Sequence, residues 1–281
     1  PKAGEKNAVV SLHIYDVASQ AKKDVNLGNY SDFYIARMQW TNDANVLSAQ
    51  VLNRHQDNLD LLFIDSTTAA EKVVLNEKDK AYIDVTYNLT FLKDNSFIWT
   101  SEKDGFNHIY LYDKTGKLIN QVTKGNWEVT NYYGFDEKTK TIFYQSVENG
   151  SINRDIYRIG LEGKNKVRLS SKVGTSAAAY SRNFQYFITT FSSATQPPVY
   201  TLNDAKAGKQ LQMIEENQTL SNNLKGFNLP TKEFSVLKTE KGIELNMWMM
   251  KPKDFDANKK YPVFMFQYSG PGSQQVNNDW N

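Results

Sequence analysis

The sequence predicts an all-β chain of β-propeller blades, each a four-stranded antiparallel sheet, over residues 1–217, followed by the first strands of a second domain over residues 218–281. Three observations carry that expectation. Short β-branched and aromatic runs alternate with Asn, Asp, Gly and Lys clusters, a rhythm of strands and tight turns. The runs recur with a fixed period. The pattern then changes near residue 217.

The repeat is read from four aromatic anchors: Trp40, Phe91, Phe135 and Tyr180, spaced 44 to 51 residues apart. Each is followed by a polar turn and then an apolar run, as in Phe97–Thr100 or Thr141–Tyr144. This is the period of a propeller blade of four strands. About twenty residues after each anchor comes a second strand: Leu61–Asp65, His108–Tyr112, Asp155–Arg158 and Pro198–Leu202. A further short apolar segment follows, such as Lys117-Leu118-Ile119 or Lys166–Leu169. One such sheet cannot bury both faces alone, so neighbours must stack. A β-sandwich with even strand spacing is the alternative, and agreement of two registers over four units favours the propeller. Before the first anchor, Val9–Val17 and Val25–Leu27 read as the second half of a fifth blade. Proline is sparse and expected in loops, notably at Pro197-Pro198, and no sustained helical stripe occurs before about residue 203.

Beyond residue 217, Glu233–Leu237 and Ile243–Met250 read as paired strands about a Lys241-Gly242 turn. A solvated Lys- and Asp-rich connector (253–260) leads to Val263–Phe266, an unbroken apolar run expected as a strand covered on both faces. A Gly/Pro/Ser loop, residues 269–273, follows.

Composition narrows the function classes. Lys and Arg number 33 against 31 Asp and Glu, which disfavours a nucleic-acid binder held by a basic face. Apolar residues make up 40% of the chain, enough for a folded core. There is no cysteine, so disulfides and thiolate metal sites are excluded, and the three scattered histidines (His13, His55, His108) give a metal site little support. Apolar runs are too short to span a bilayer as a helix. Pro1-Lys2-Ala3-Gly4 carries neither a start methionine nor an apolar leader, so the chain is expected to be part of something longer. Gly270–Ser273 lacks the lysine of a phosphate loop. His108 lies in an alternating strand, where a structural hydrogen-bonding role is expected. Asn88 and Asn217 begin glycosylation-type triplets, a motif frequent by chance.

Three stretches resemble the dipeptidyl peptidase IV branch of the prolyl oligopeptidase family of serine peptidases. They are Tyr261-Pro262-Val263 with Gln267–Gln274, then Thr123–Val129 (TKGNWEV), and Gly105–Tyr110 (GFNHIY); the opening Pro1–Asn7 is also similar. The resemblance implies that the propeller blades lead into the first strands of a truncated α/β-hydrolase domain. It further implies an exopeptidase that releases N-terminal dipeptides with proline or alanine second, working by a Ser-His-Asp triad with oxyanion donors. One such donor, a tyrosine hydroxyl, maps onto Tyr268. The family's aromatic wall near the substrate falls at Lys80–Val85, making Tyr82 a weaker substrate-binding candidate beside a packing role. The resemblance implies no cofactor and no metal, a peptide substrate, a homodimer, and a periplasmic or envelope location in a bacterial parent. Nucleic acid and a membrane span are not expected.

The chain contains no G-x-S-x-G elbow, and its last histidine is His108, so no nucleophile or base of the family type is displayed. Glu215-Glu216 follows the last blade and is set aside as an amine clamp. The fragment alone is therefore expected to be inactive. Two rivals stay open: a non-catalytic propeller module that binds a peptide or protein, and a glycan-active propeller with paired carboxylates.

Overall fold

A computed structural model describes residues 4–227, 229–268, 270 and 272–281. Pro1–Ala3 of the opening motif, and Ser269 and Pro271 of the Gly/Pro/Ser loop, lie outside the described residues.

Strands run in chain order and pair with their sequence neighbours throughout. A two-stranded ladder, β1 (His13–Tyr15) with β2 (Lys22–Asp24), is the half-blade expected from the sequence. Four four-stranded antiparallel meanders follow. The first is β3 (Phe33–Trp40), β4 (Val46–Asn53), β5 (Asn58–Asp65) and β6 (Glu71–Lys78). The second is β7 (Thr90–Phe91), β8 (Phe97–Ser101), β9 (His108–Tyr112) and β10 (Leu118–Gln121). Next come β11 (Val129–Asp136), β12 (Thr141–Ser146), β13 (Asp155–Gly160) and β14 (Val167–Arg168). The last comprises β15 (Thr175–Tyr180), β16 (Tyr186–Ser193), β17 (Gln196–Asp204) and β18 (Gln210–Glu215). One helix, α1 (Gln218–Leu224), and a hairpin of β19 (Glu233–Lys238) with β20 (Glu244–Met249) complete the described elements. Among the described residues no helix is long and apolar enough to cross a membrane.

The anchors fall where the repeat requires. Trp40, Phe91 and Tyr180 end the first strand of their sheets, and Phe135 stands one residue before the end of β11. The second register is the third strand of each sheet, β5, β9, β13 and β17. The hairpin turns at Gly242, whose φ of 78° suits a residue without Cβ.

The chain forms two compact units. The first is Pro1–Gly125 with Glu137–Thr139 and Leu161–Lys164; the second is Asn126–Asp136, Lys140–Gly160 and Asn165–Asn281. In the first unit, β8 and β9 are buried along their whole length and β4 at all but its two end residues. Leu47, Ala49, Val51, Leu62 and Ile64 pack with Leu12, Val25 and Leu27 of the half-blade region. Leu59, Leu61, Phe97, Trp99 and Tyr110 fill the space between the first two meanders. Each of those large side chains is at most 1% exposed, and burial contributes about 2–3 kcal/mol apiece. In the second unit Phe143, Ile156, Leu169, Phe187 and Ala205 form the corresponding layer between the third and fourth meanders.

Two expectations are corrected. Pro197 and Pro198 lie inside β17 rather than in a loop. The β16–β17 register shifts between Phe191 and Ser193, and β18 pairs only from Tyr200 onward, so neither proline has to donate to a ladder. Val263–Phe266 forms no strand, and its four side chains are 68–93% exposed. A strand buried on both faces needs partners at its edges and layers above and below it. Among the described residues no strand pairs with this run.

Candidate functional site

His108 opens β9 and is fully buried. Ile109 N–H reaches Thr123 Oγ1 at 2.9 Å, and Thr123 Oγ1 lies 3.0 Å from His108 Nδ1. His108 Nε2 lies 3.0 Å from the Gly125 carbonyl, which can only accept, so Nε2 carries the proton and Nδ1 accepts from the threonine. The third meander repeats the arrangement: Ile156 N–H donates to Ser170 Oγ at 3.2 Å, and Ser170 Oγ donates to Asp155 Oδ1 at 2.6 Å. Both devices tie the start of the third strand to the segment after the fourth. His108 is a structural residue, as its strand position predicts.

Tyr82 lies in the connector between β6 and β7 and is half exposed. It lines a cavity of about 430 Å³ within the first unit, together with Glu77, Thr86, Asn88, Lys103 and Tyr112. Burial pushes the Glu77 carboxyl above its ordinary range, opposed by hydrogen bonds from Ser101 and Trp99. The Trp99 Nε1 bond to Glu77 Oε1 is 3.1 Å. Burial also pushes the Lys103 amine down, with Glu77 and Asp104 acting against it. Lys103 Nζ donates to Tyr112 Oη at 2.5 Å and stands 4.0 Å from the centre of the Tyr110 ring. The cavity thus joins an exposed aromatic to a floor of mixed charge with shifted proton affinities, an arrangement suited to a polar ligand.

Tyr268 ends the extended segment after Tyr261 and is 61% exposed. Its ring lies against the backbone of Gly270, where a Cβ would come within 2.7 Å of the ring. The missing side chain at Gly270 is what admits the ring. Tyr268 belongs to the second unit and Tyr82 to the first. Glu215 ends β18, where its Oε1 accepts from Asn217 N at 2.6 Å, and both Glu215 and Glu216 are exposed. The amides of Asn88 and Asn217 are engaged by Thr100 Oγ1 and the Pro198 carbonyl.

A Ser-His-Asp set that sequence reasoning missed occurs on the half-blade. Ser11 Oγ is 2.8 Å from His13 Nε2, and His13 Nδ1 is 2.7 Å from Asp24 Oδ1. The pairing of His13 with Asp24 across β1–β2 explains the contact. Its environment argues against catalysis: the Asp24 side chain is 74% exposed, whereas a working triad keeps its carboxylate buried and its base fixed away from water.

Stacked four-stranded meanders define a β-propeller repeat protein. The profile of the dipeptidyl peptidase IV N-terminal region matches residues 1–198, and the chain belongs to that family. It is 28% identical over 294 residues to dipeptidyl peptidase 4 of Trichophyton equinum, and 29% identical over 295 residues to that of Arthroderma otae. All of this chain is covered in both, but only 38% and 37% of the relatives. The crystal structure of Porphyromonas gingivalis dipeptidyl peptidase 4 matches with a TM-score of 0.94 and 43% identity, covering the whole chain and 40% of that protein. The chain therefore spans about two-fifths of the length of its relatives.

Proposed function

We propose that this chain is the substrate-gating part of a serine exopeptidase that releases N-terminal dipeptides with proline or alanine in the second position. The observation that carries the reading is similarity along the entire chain to proteins named dipeptidyl peptidase 4. Residues 1–217 form the propeller portion and residues 218–281 open the hydrolase domain.

Within this reading Tyr268 donates its hydroxyl to the oxyanion that develops as serine attacks the scissile carbonyl. A donor preset for that charge stabilises the transition state more than the ground state. Tyr82 stands on the wall that the bound peptide passes, and the cavity beside it accepts polar peptide groups. The nucleophile and base come from outside these 281 residues, since the chain holds no G-x-S-x-G and no histidine after His108. The parent is a homodimeric bacterial enzyme of the periplasm or cell envelope.

The test is to express the gene through its own stop codon and assay a Gly-Pro chromogenic amide beside the 281-residue chain. The long form should turn over and the short form should not. Tyr268→Phe in the long form should lower kcat by about 10²–10³-fold with KM little changed. Turnover by the short chain, or an unaltered kcat in the variant, refutes the respective assignment.

A further inference from the structure

Arg37 stands on β3, the edge strand of the first meander, just past an irregularity in the ladder. Ile35 pairs with Val51 and Arg37 with Gln50, so Ala36 is the extra residue of a bulge. A bulge of this kind re-aims the side chains beside it. The guanidinium carbon of Arg37 lies 3.8 Å over the centre of the Tyr87 ring. Tyr87 is 77% exposed, so it acts as a platform and not as core. The platform is held on both sides, because Gln50 Nε2 donates to the Thr86 carbonyl at 3.3 Å and Gln39 Nε2 to the Leu89 carbonyl at 3.1 Å.

Stacking occupies the face of a guanidinium and leaves its edge of N–H donors available. On that edge Nη1 donates to the Ala36 carbonyl at 2.5 Å, while Nε is buried and has no acceptor. Among the described residues no carboxylate pairs with Arg37. Arg168 shows the contrast: its Nε and Nη2 both reach Asp155 Oδ1, at 3.0 and 2.7 Å. Nη2 of Arg37, by contrast with its Nε, is not buried, and among the described residues it has no acceptor.

We propose that Arg37, held flat on Tyr87, is a carboxylate-binding site for a peptide. The outer end of the fork, Nη2 with the second N–H of Nη1, is what an incoming ligand reaches, and its paired donors match the two oxygens of a planar carboxylate. Thr86 and Asn88, on either side of Tyr87, line the cavity that also holds Tyr82, so the site borders space a peptide can occupy. Glu77, Asp79, Asp84 and Glu102 line the same cavity, and their charge opposes a dianionic phosphate more than a single carboxylate. The carboxylate has two sources, an Asp or Glu side chain or the peptide's C-terminus. The inference goes beyond the exopeptidase reading, and it is tested by binding alone, so either can fail without the other.

The experiment is calorimetric titration of the 281-residue chain with Ala-Pro-Glu and Ala-Pro-Gln, each as free acid and as C-terminal amide. Ala-Pro-Gln amide, which lacks both carboxylates, should bind about tenfold more weakly than the preferred acid. The carboxylate whose removal causes the loss identifies the source. Arg37→Gln should erase the preference, and Arg37→Lys should restore only part of it, because lysine keeps charge but loses the fork and the stack. Thermal midpoints of the two variants should stay near that of the parent, since neither change breaks an ion pair. Equal affinity for all four peptides, or no binding at millimolar concentration, overturns the proposal. So does an unchanged preference in Arg37→Gln, or displacement of the peptide by inorganic phosphate more readily than by acetate.

Discussion

Gly116 offers the sharpest test of how the sheets of the first unit are stacked. It lies in the β9–β10 turn with φ of 89°, and a Cβ built on it would stand 1.6 Å from the Val74 carbonyl oxygen of β6. That oxygen belongs to backbone and cannot rotate aside, so Gly116→Ala must push the second meander away from the first. The left-handed backbone costs an alanine about 1–3 kcal/mol, and overpacking adds about 1–3 kcal/mol. A sum of roughly 4 kcal/mol lowers the thermal midpoint by about 10–15 °C for a unit of this size. Gly105→Ala is the control in the same unit, because its φ is 100° but nothing lies within 4 Å of the added Cβ. It should lose only the backbone share, about 1–3 kcal/mol. Differential scanning calorimetry of both variants beside the parent separates the two contributions. If Gly116→Ala melts no lower than Gly105→Ala, the close approach of the turn to β6 is wrong.

His108→Ala should destabilise the first unit by about 2–4 kcal/mol in urea unfolding, because it strips partners from buried Thr123 and the Gly125 carbonyl. A third prediction concerns acid. Asp113 is held below its ordinary 3.8 chiefly by the Thr115 hydroxyl, and Asp65 and Asp16 chiefly by the backbone N–H groups of Thr68 and Ser19. A carboxyl whose folded value is depressed adds stability above the unfolded value and loses it as pH falls through the folded one. The thermal midpoint should therefore drop as pH falls from 3.8 downward, and the drop should be shallower in Asp113→Asn, as read by melts on either side of that pH.

Much of the fold was legible because one turn recurs. Between the third and fourth strands, Asp16, Asp65, Asp113 and Asp204 each cap the turn with their own carboxylate. A left-handed residue follows at Gln20, Ala69, Gly116 and Gly208. Short polar side chains that bond nearby backbone N–H groups are what make such turns readable in a sequence. Gly208, like Gly116, meets the preceding sheet closely, with a built Cβ 2.4 Å from the Leu169 carbonyl oxygen. A glycine in a polar turn does not announce that contact, because the reason for it lies in another sheet. Val263–Phe266 misled for a related cause. Four apolar residues satisfy the pattern of a buried strand, but pairing depends on partners that periodicity does not reveal.

The candidate site was less legible because its residues sit where the repeat is broken. Tyr82 and Tyr87 lie in the β6–β7 connector, which belongs to no strand, and Arg37 follows a bulge within one. Nothing in the periodic pattern distinguishes Arg37 from Arg168, yet one is stacked on an exposed ring with a vacant donor and the other is saturated by Asp155. The same division runs through His108 and the Ser11–His13–Asp24 set. His108, His13 and Asp24 lie on regular strands, and there their partners fix them as structure or leave them in water. In a fold built by repetition, regular positions are committed to holding sheets together. Departures from the repeat are free to meet a ligand, and Tyr82, Tyr87 and Lys103 stand at such departures, beside Glu77 and Tyr112 of regular strands.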